Sequence, residues 1–327
     1  MLPNLPPGPI DWAGLSLLLS AALIIYITLT AALTHLRLSR PQRKTYGWAV
    51  ARNLPADPTE ACDAPFEDHR FISQNTAIHY WDVPGNDPNG PITLITHGWG
   101  SSRIAALSRL NPCLQSSSRV ILWDMPGHGD SAGTCTLANR EPAHLLNLLN
   151  HLDLQHRAKT DPPLILFGWS LGAEVTLRAA AKLLQTTEKP PSDPALALIL
   201  EGYFAKGMSP ARSVMSLSNT PVFPNLHLAL FAFGLAAGDP GHRWRDTTAI
   251  AEQINAPSLV IHGTEDRVCA PKDGERLARA LSATLCMVNG AGHNNIWTDP
   301  DTRPTAEDAL NNFYLALKQR RSESEAT

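Results

Sequence analysis

Short apolar runs bounded by Gly, Pro, Asn or Asp recur along the chain from residue 66 onward. Phe66–Ser73 and Thr76–Val83 read as two strands joined by a turn at Gln74 and Asn75. The run PITLIT (91–96), then Val120–Trp123, Pro163–Phe167, Ala195–Leu200, Ser258–Ile261 and Ala283–Val288 are continuously apolar, as parallel strands covered on both faces should be. Directly after Phe167 the period changes. Leu171, Val175, Leu177, Ala181 and Leu184 recur at helical spacing, with Arg178 and Lys182 among the polar positions between them. The pattern predicts an α/β fold: a doubly wound sheet of about eight strands, mostly parallel with an antiparallel start.

Upstream the pattern is of another kind. Trp12 to Leu33 contains no charge over about 22 residues, enough for a helix to cross a hydrocarbon core of roughly 30 Å, so residues 12–34 are expected to span a membrane. A cleaved signal peptide would need a positive start, and the tail of residues 1–11 has no Lys or Arg. His35, Arg37, Arg40, Arg43 and Lys44 follow the span, which predicts that everything after it lies on the cytoplasmic side. Residues 35–64, with Pro55, Pro58 and several acids, read as a basic juxtamembrane segment and linker. A folded domain should occupy 65–320, and 321–327 form a C-terminal tail.

Composition narrows the partners. A net charge of -3 gives no basic field, which argues against nucleic acid. Charged residues are only 17 % of the chain, so part of the surface is expected to face something other than water. Five cysteines, an odd number without C-x-x-C spacing, read as reduced thiols.

The candidate chemistry begins at Gly168-Trp169-Ser170-Leu171-Gly172, set between a buried strand and a helix. A serine in such a sharp turn has its hydroxyl pushed clear of the sheet, while the helix N-terminus aims amide groups at the same spot. His97-Gly98-Trp99-Gly100 closes another strand, and the N–H groups of Trp99 and Leu171 are assigned as a pair of oxyanion donors; the plain alternative is an ordinary strand-to-helix turn. Val120–Trp123 ends in Asp124-Met125-Pro126-Gly127-His128-Gly129-Asp130-Ser131.

This order of segments resembles the α/β-hydrolase superfamily, over roughly Phe66 to Gln319. The resemblance implies an α/β-hydrolase fold with a small cap insertion at about 205–255, and structural roles for His97 and His128. His262-Gly263-Thr264-Glu265-Asp266-Arg267-Val268 looks like the family's acid-bearing turn, which assigns the acid to Asp266 with Glu265 as a rival. His293, just beyond the last strand, then completes the order Ser170, Asp266, His293. His79, His144, His151 and His156 lie at strand or helix positions and are expected to be bystanders.

The implied activity is hydrolysis of a carboxylic ester through an acyl-enzyme, needing no cofactor or metal. Anchor, apolar insertion and the G-H-G-x-S turn together are similar to monoacylglycerol-lipase-like and lysophospholipase-like members, which favours a lipid or other lipophilic ester. An acyltransferase, a peptidase of the same superfamily and a catalytically inactive scaffold stand as alternatives, and the oligomeric state is open. On this reading a chain beginning near Pro41 should be largely soluble and still hydrolyse short esters.

Overall fold

Alternation along each apolar strand decides which layer its side chains join. In the strand Leu164–Trp169, Leu164 and Leu166 enter one core cluster while Ile165 and Phe167 enter another on the opposite face. Leu198 and Leu200 against Ala197 and Ile199 repeat this in the next strand. The computed structural model describes residues 11–155, 162–186, 195–217, 220–241, 243–244 and 246–325. The tail through Ile10, His156 and the last two residues lie outside them.

Eight strands form one sheet: β1 (Glu67–Ser73), β2 (Thr76–Pro84), β3 (Ile92–Thr96), β4 (Arg119–Trp123), β5 (Leu164–Trp169), β6 (Leu196–Glu201), β7 (Ser258–Gly263) and β8 (Thr284–Val288). Their order is β1-β2-β4-β3-β5-β6-β7-β8, with β2 antiparallel to both β1 and β4 and every later pairing parallel. Gln74 and Asn75 both take left-handed φ values, 47° and 60°, as a two-residue turn matched to strand twist requires. The helices are α1 (Trp12–Ser39), α2 (Tyr46–Val50), α3 (Pro58–Cys62), α4 (Arg103–Leu114), α5 (Glu141–His151), α6 (Leu171–Thr186), α7 (Met208–Leu217), α8 (Asn225–Ala236), α9 (Thr248–Ala251), α10 (Pro271–Ala280) and α11 (Arg303–Glu325). One face of the sheet is covered by α5, α6 and α10, the other by α4 and α11.

Helix α1 begins at an Asp11 cap, whose carboxylate accepts from the Gly14 N–H, and stops just before Pro41. Its most apolar window is wholly exposed, so it is not a core helix of this domain. The last turns, however, are bound to the rest of the molecule. Thr30 Oγ1 donates to Asn225 Oδ1 at 2.8 Å, His35 stacks on Phe233 at 4.2 Å between ring centroids, and the Leu38 carbonyl accepts from the Trp99 indole at 2.9 Å. The segment read as a linker is folded as well. Arg43 donates to the carbonyls of Gly129 and Ser131, and Ala49 of α2 and Ala56 of the loop before α3 pack into the core beneath. Its polar sequence hides this because the contacts run through backbone carbonyls and small residues rather than a periodic apolar face.

Between β6 and β7 the cap carries α7, α8 and α9. Arg243 ties it to the body: the guanidinium donates to both Glu174 oxygens of α6, at 2.8 and 3.1 Å, with all partners buried.

Candidate active site

Every strand from β3 to β8, β4 apart, delivers a site group at its carboxyl end, where parallel α/β sheets place their ligand crevices. Ser170 follows β5 with a left-handed φ of 55°, a strained value for a residue with a side chain. Its N–H is held by the Glu201 carbonyl at 2.8 Å. The turn needs its glycines for space: a Cβ at Gly172 would lie 2.2 Å from the Thr96 carbonyl oxygen, and one at Gly168 would lie 2.3 Å from the Gly172 oxygen.

Ser170, His293 and Asp266, far apart in sequence, form one hydrogen-bonded chain. His293 Nε2 lies 3.0 Å from Ser170 Oγ, and His293 Nδ1 lies 2.7 Å from Asp266 Oδ2. A carboxylate can only accept, so the imidazole proton sits on Nδ1 and the Nε2 lone pair faces the hydroxyl. Asp266 Oδ1 accepts from the Val268 and Cys269 N–H groups, each at 2.8 Å. Burial by itself would raise this carboxyl, but hydrogen bonds from His262 and His293 outweigh it and hold Asp266 well below the ordinary carboxylate range. Glu265, the rival acid, is exposed on the outside of the turn.

Leu171 opens α6 and Trp99 lies in the loop after β3; neither N–H is hydrogen-bonded among the described residues, and both residues line the same cavity as Ser170 and His293. Two unsatisfied amides beside a nucleophile candidate can stabilise an oxygen that becomes negative there. His97 and His128 are buried behind this loop. The Met125 N–H donates to His97 Nε2 at 3.0 Å, so Nδ1 carries the proton and donates to the Gly98 carbonyl at 2.8 Å. Burial pushes His97 well below its ordinary value and brings His128 down to about 4. Both are neutral scaffolding at physiological pH. Among the bystanders, His144 bonds Ser73 and His151 stacks on Phe71, away from the site.

Asp266, Cys269 and His293 bring ligand atoms within 4.8 Å of one another. Both carboxylate oxygens and Nδ1 are already engaged, and burial pushes the Cys269 thiol well up, so this cluster is hydrogen-bonded rather than arranged around an ion.

Residues 93–304 match the Alpha/beta hydrolase family. The chain belongs to that family. It is 25 % identical over 229 residues to a pimeloyl-[acyl-carrier protein] methyl ester esterase of Neisseria meningitidis, covering 61 % of this chain and 70 % of the relative. The fold is similar to an esterase of Pyrococcus furiosus (TM-score 0.62, 16 % identity, 87 % of this chain and 98 % of that one). It is also similar to a membrane phospholipase A described as a bacterial virulence factor (TM-score 0.56, 19 % identity, 94 % and 98 %). The chain is thus a hydrolase of this family with esterases among its relatives.

Sequence reasoning missed several supporting groups of this hydrolase. His262 Nε2 reaches both the Cys269 carbonyl (3.1 Å) and Asp266 Oδ2 (3.4 Å), the oxygen that also faces His293. Gly202 takes a φ of 57°, and a Cβ there would lie 3.3 Å from the His293 ring. Beneath Trp169 the Arg109 guanidinium sits 4.0 Å from the ring centroid and donates to both Glu201 oxygens, and Glu201 Oε2 also accepts from Trp297 Nε1. Only the i to i+4 spacing of His262 and Asp266 carried a readable signal. The cavity itself, about 850 Å³ and mostly apolar, is walled partly by α1, α2 and α3, which no motif marks.

Proposed function

We propose that this chain is a membrane-anchored serine hydrolase that cleaves carboxylic esters with lipophilic acyl chains. The observation that carries the reading is the hydrogen-bonded sequence Ser170 Oγ, His293 Nε2, His293 Nδ1, Asp266 Oδ2, at 3.0 and 2.7 Å. In this mechanism Ser170 Oγ attacks the ester carbonyl carbon while its proton passes to His293 Nε2. The carbonyl oxygen becomes an oxyanion facing the Trp99 and Leu171 N–H groups. Asp266, ionised at all physiological pH, offsets the imidazolium charge. Collapse of the tetrahedral species breaks the bond to the alcohol, which leaves with the proton from Nε2. Water then gives its proton to His293, attacks the acyl-enzyme and releases the acid, restoring Ser170.

Lipophilic substrates and a membrane location rest on different support. The apolar window of α1 is exposed throughout and has a mean hydropathy of 2.2, as a span requires. Helix α8, apolar on all sides, packs on the end of α1 and leaves Leu228, Phe231 and Leu235 exposed beside it, which suits contact with a bilayer. The neisserial relative is named for an acyl methyl ester, which agrees with an acyl ester here. The cations that follow α1 favour a cytoplasmic hydrolase domain.

A fluorophosphonate probe tests the chemistry: the detergent-solubilised full chain should be labelled on Ser170, and Ser170→Ala should abolish both labelling and hydrolysis of p-nitrophenyl esters. Labelling and turnover that persist in Ser170→Ala would refute the reading.

A further inference from the structure

Among the described residues the wall of the cavity contains no Asp or Glu, although four cations line it: Arg37, Lys44, Arg109 and Arg243. Two are neutralised from behind, Arg109 by Glu201 (2.5 Å) and Arg243 by Glu174 (2.8 Å). The other two, Arg37 on the last turn of α1 and Lys44 just before α2, form no ion pair among the described residues. Lys44 is half-buried, its ammonium 5.1 Å from the Trp48 ring centroid. Burial, and then the charge of Arg52 on the same ring, lower its affinity for a proton. Its field extends to His97, the residue that opens the Gly98-Trp99 loop beside Ser170.

A cation withdrawn from water into an apolar cavity without a counter-ion is costly, and the cost is relieved when a ligand brings the missing charge. Resting on the proposed esterase reading, we infer that Lys44, with Arg37 at the rim, recognises an anionic oxygen group on the substrate. The preferred esters then carry an acyl chain along the apolar wall and an anionic terminus against the N-terminal segment. That terminus is either the phosphate of an acyl-glycerophosphate or the far carboxylate of a dicarboxylic half-ester; both supply charged acceptors to an ammonium and a guanidinium fork. The segment between the span and the domain is in this view a specificity element of the site.

The test uses two substrate pairs, each differing only in the presence of the anionic group, with the full chain in neutral detergent. One pair is 1-hexanoyl-glycerol-3-phosphate against 1-hexanoylglycerol; the other is monomethyl suberate against methyl octanoate. The detergent is neutral, so attraction to a charged lipid surface cannot mimic the effect, and partitioning of the neutral ester into micelles is the same for every variant and cannot produce a change on Lys44→Gln. The anionic member of at least one pair should have a kcat/KM higher by about ten-fold or more, mostly through KM, and the pair that shows it identifies the source of the anion. Lys44→Gln should collapse that ratio towards one, Lys44→Arg should retain most of it, and the remote exposed Arg70→Gln should leave it unchanged. Should Lys44→Gln prove poorly folded by its melting curve, Arg37→Gln must lower the same ratio. A wild-type chain without preference in either pair overturns the inference, as does a preference that survives Lys44→Gln. Absence of Ser170 labelling and of all ester turnover would instead refute the underlying esterase reading.

Discussion

At the scale of single residues, the three site side chains are told apart by what each one touches. Ser170→Ala and His293→Ala should each lower ester turnover by about 10⁴-fold or more without unfolding the chain. Asp266→Asn should be severe too, since an amide can donate to Nδ1 and so favour the wrong tautomer, whereas Glu265→Gln should cost less than about ten-fold because Glu265 is exposed. A larger loss in Glu265→Gln than in Asp266→Asn would reverse the assignment of the acid. A second prediction at this scale concerns acid stability. Between pH 6.5 and about 4 the unfolded chain protonates the two imidazoles that buried His97 and His128 keep neutral, so native stability is full above 6.5 and falls as pH drops through this window. Asp124 opposes this, because burial raises its carboxyl to about 6 and the native state takes up that proton first. Two imidazoles outweigh one carboxyl; His128 alone contributes on the order of 3 kcal/mol by pH 4. The melting temperature should therefore fall steadily from pH 7 to about pH 4.5, and His128→Asn should flatten part of that slope. A melting temperature that stays level or rises on acidification would contradict the neutral burial of these rings.

At the scale of elements, the joins around the cavity are polar and buried, which makes them sensitive to the loss of one partner. Arg109→Met would leave the buried Glu201 carboxyl without its cation, and should cost about 3–5 kcal/mol in a denaturant melt. Removing both charges, as Arg109→Met with Glu201→Gln, should recover much of that loss. The end of α1 behaves in the same way. A chain beginning at Pro41 loses the Leu38 carbonyl that holds the Trp99 indole, the Thr30–Asn225 bond and the His35–Phe233 stack. Such a truncation removes part of the cavity wall with the anchor, so it should melt at a lower temperature and turn over esters more slowly than the full chain. Equal stability and turnover in the two chains would show that α1 is a tether only.

At the scale of the whole molecule, the last turns of α1 both line the cavity, through Thr34, Arg37 and Leu38, and pack on the apolar α8. If α1 spans a bilayer, the site opens close to the lipid surface and a lipophilic ester need travel only a short distance in water. On that reading Arg37 and Arg40 would sit at one end of the span, and residues 1–10 contain no Lys or Arg. A C-terminal reporter active only outside the cytoplasm should thus give no signal, and strong activity of that reporter would overturn the orientation.

The strands were legible in the sequence because they depend on local spacing, whereas the order Ser170, Asp266, His293 came from the resemblance of the turns that carry them. Apolar runs cut by turn residues delimit β1 to β8 within two residues, and a serine between two glycines directly after such a run, with a helical period beyond it, marks the strand-to-helix turn. The resemblance of the turn His262–Val268 assigned the acid to Asp266 rather than Glu265; spacing alone leaves neighbouring carboxylates alike until the chain folds and one of them meets an imidazole. Other features belong to the tertiary structure alone. Gly202 looks like any turn glycine until the His293 ring is packed against it, and Arg109 and Glu201 are ordinary charges until burial makes them partners. The segment from Arg37 to Ala61 carries no period and no motif, because what it contributes is a wall, and a wall is made by the residues that happen to face one cavity. Its two unpaired cations acquire meaning in the same way: charge and spacing are written in the chain, but the lack of any acid near them is a property of three-dimensional arrangement.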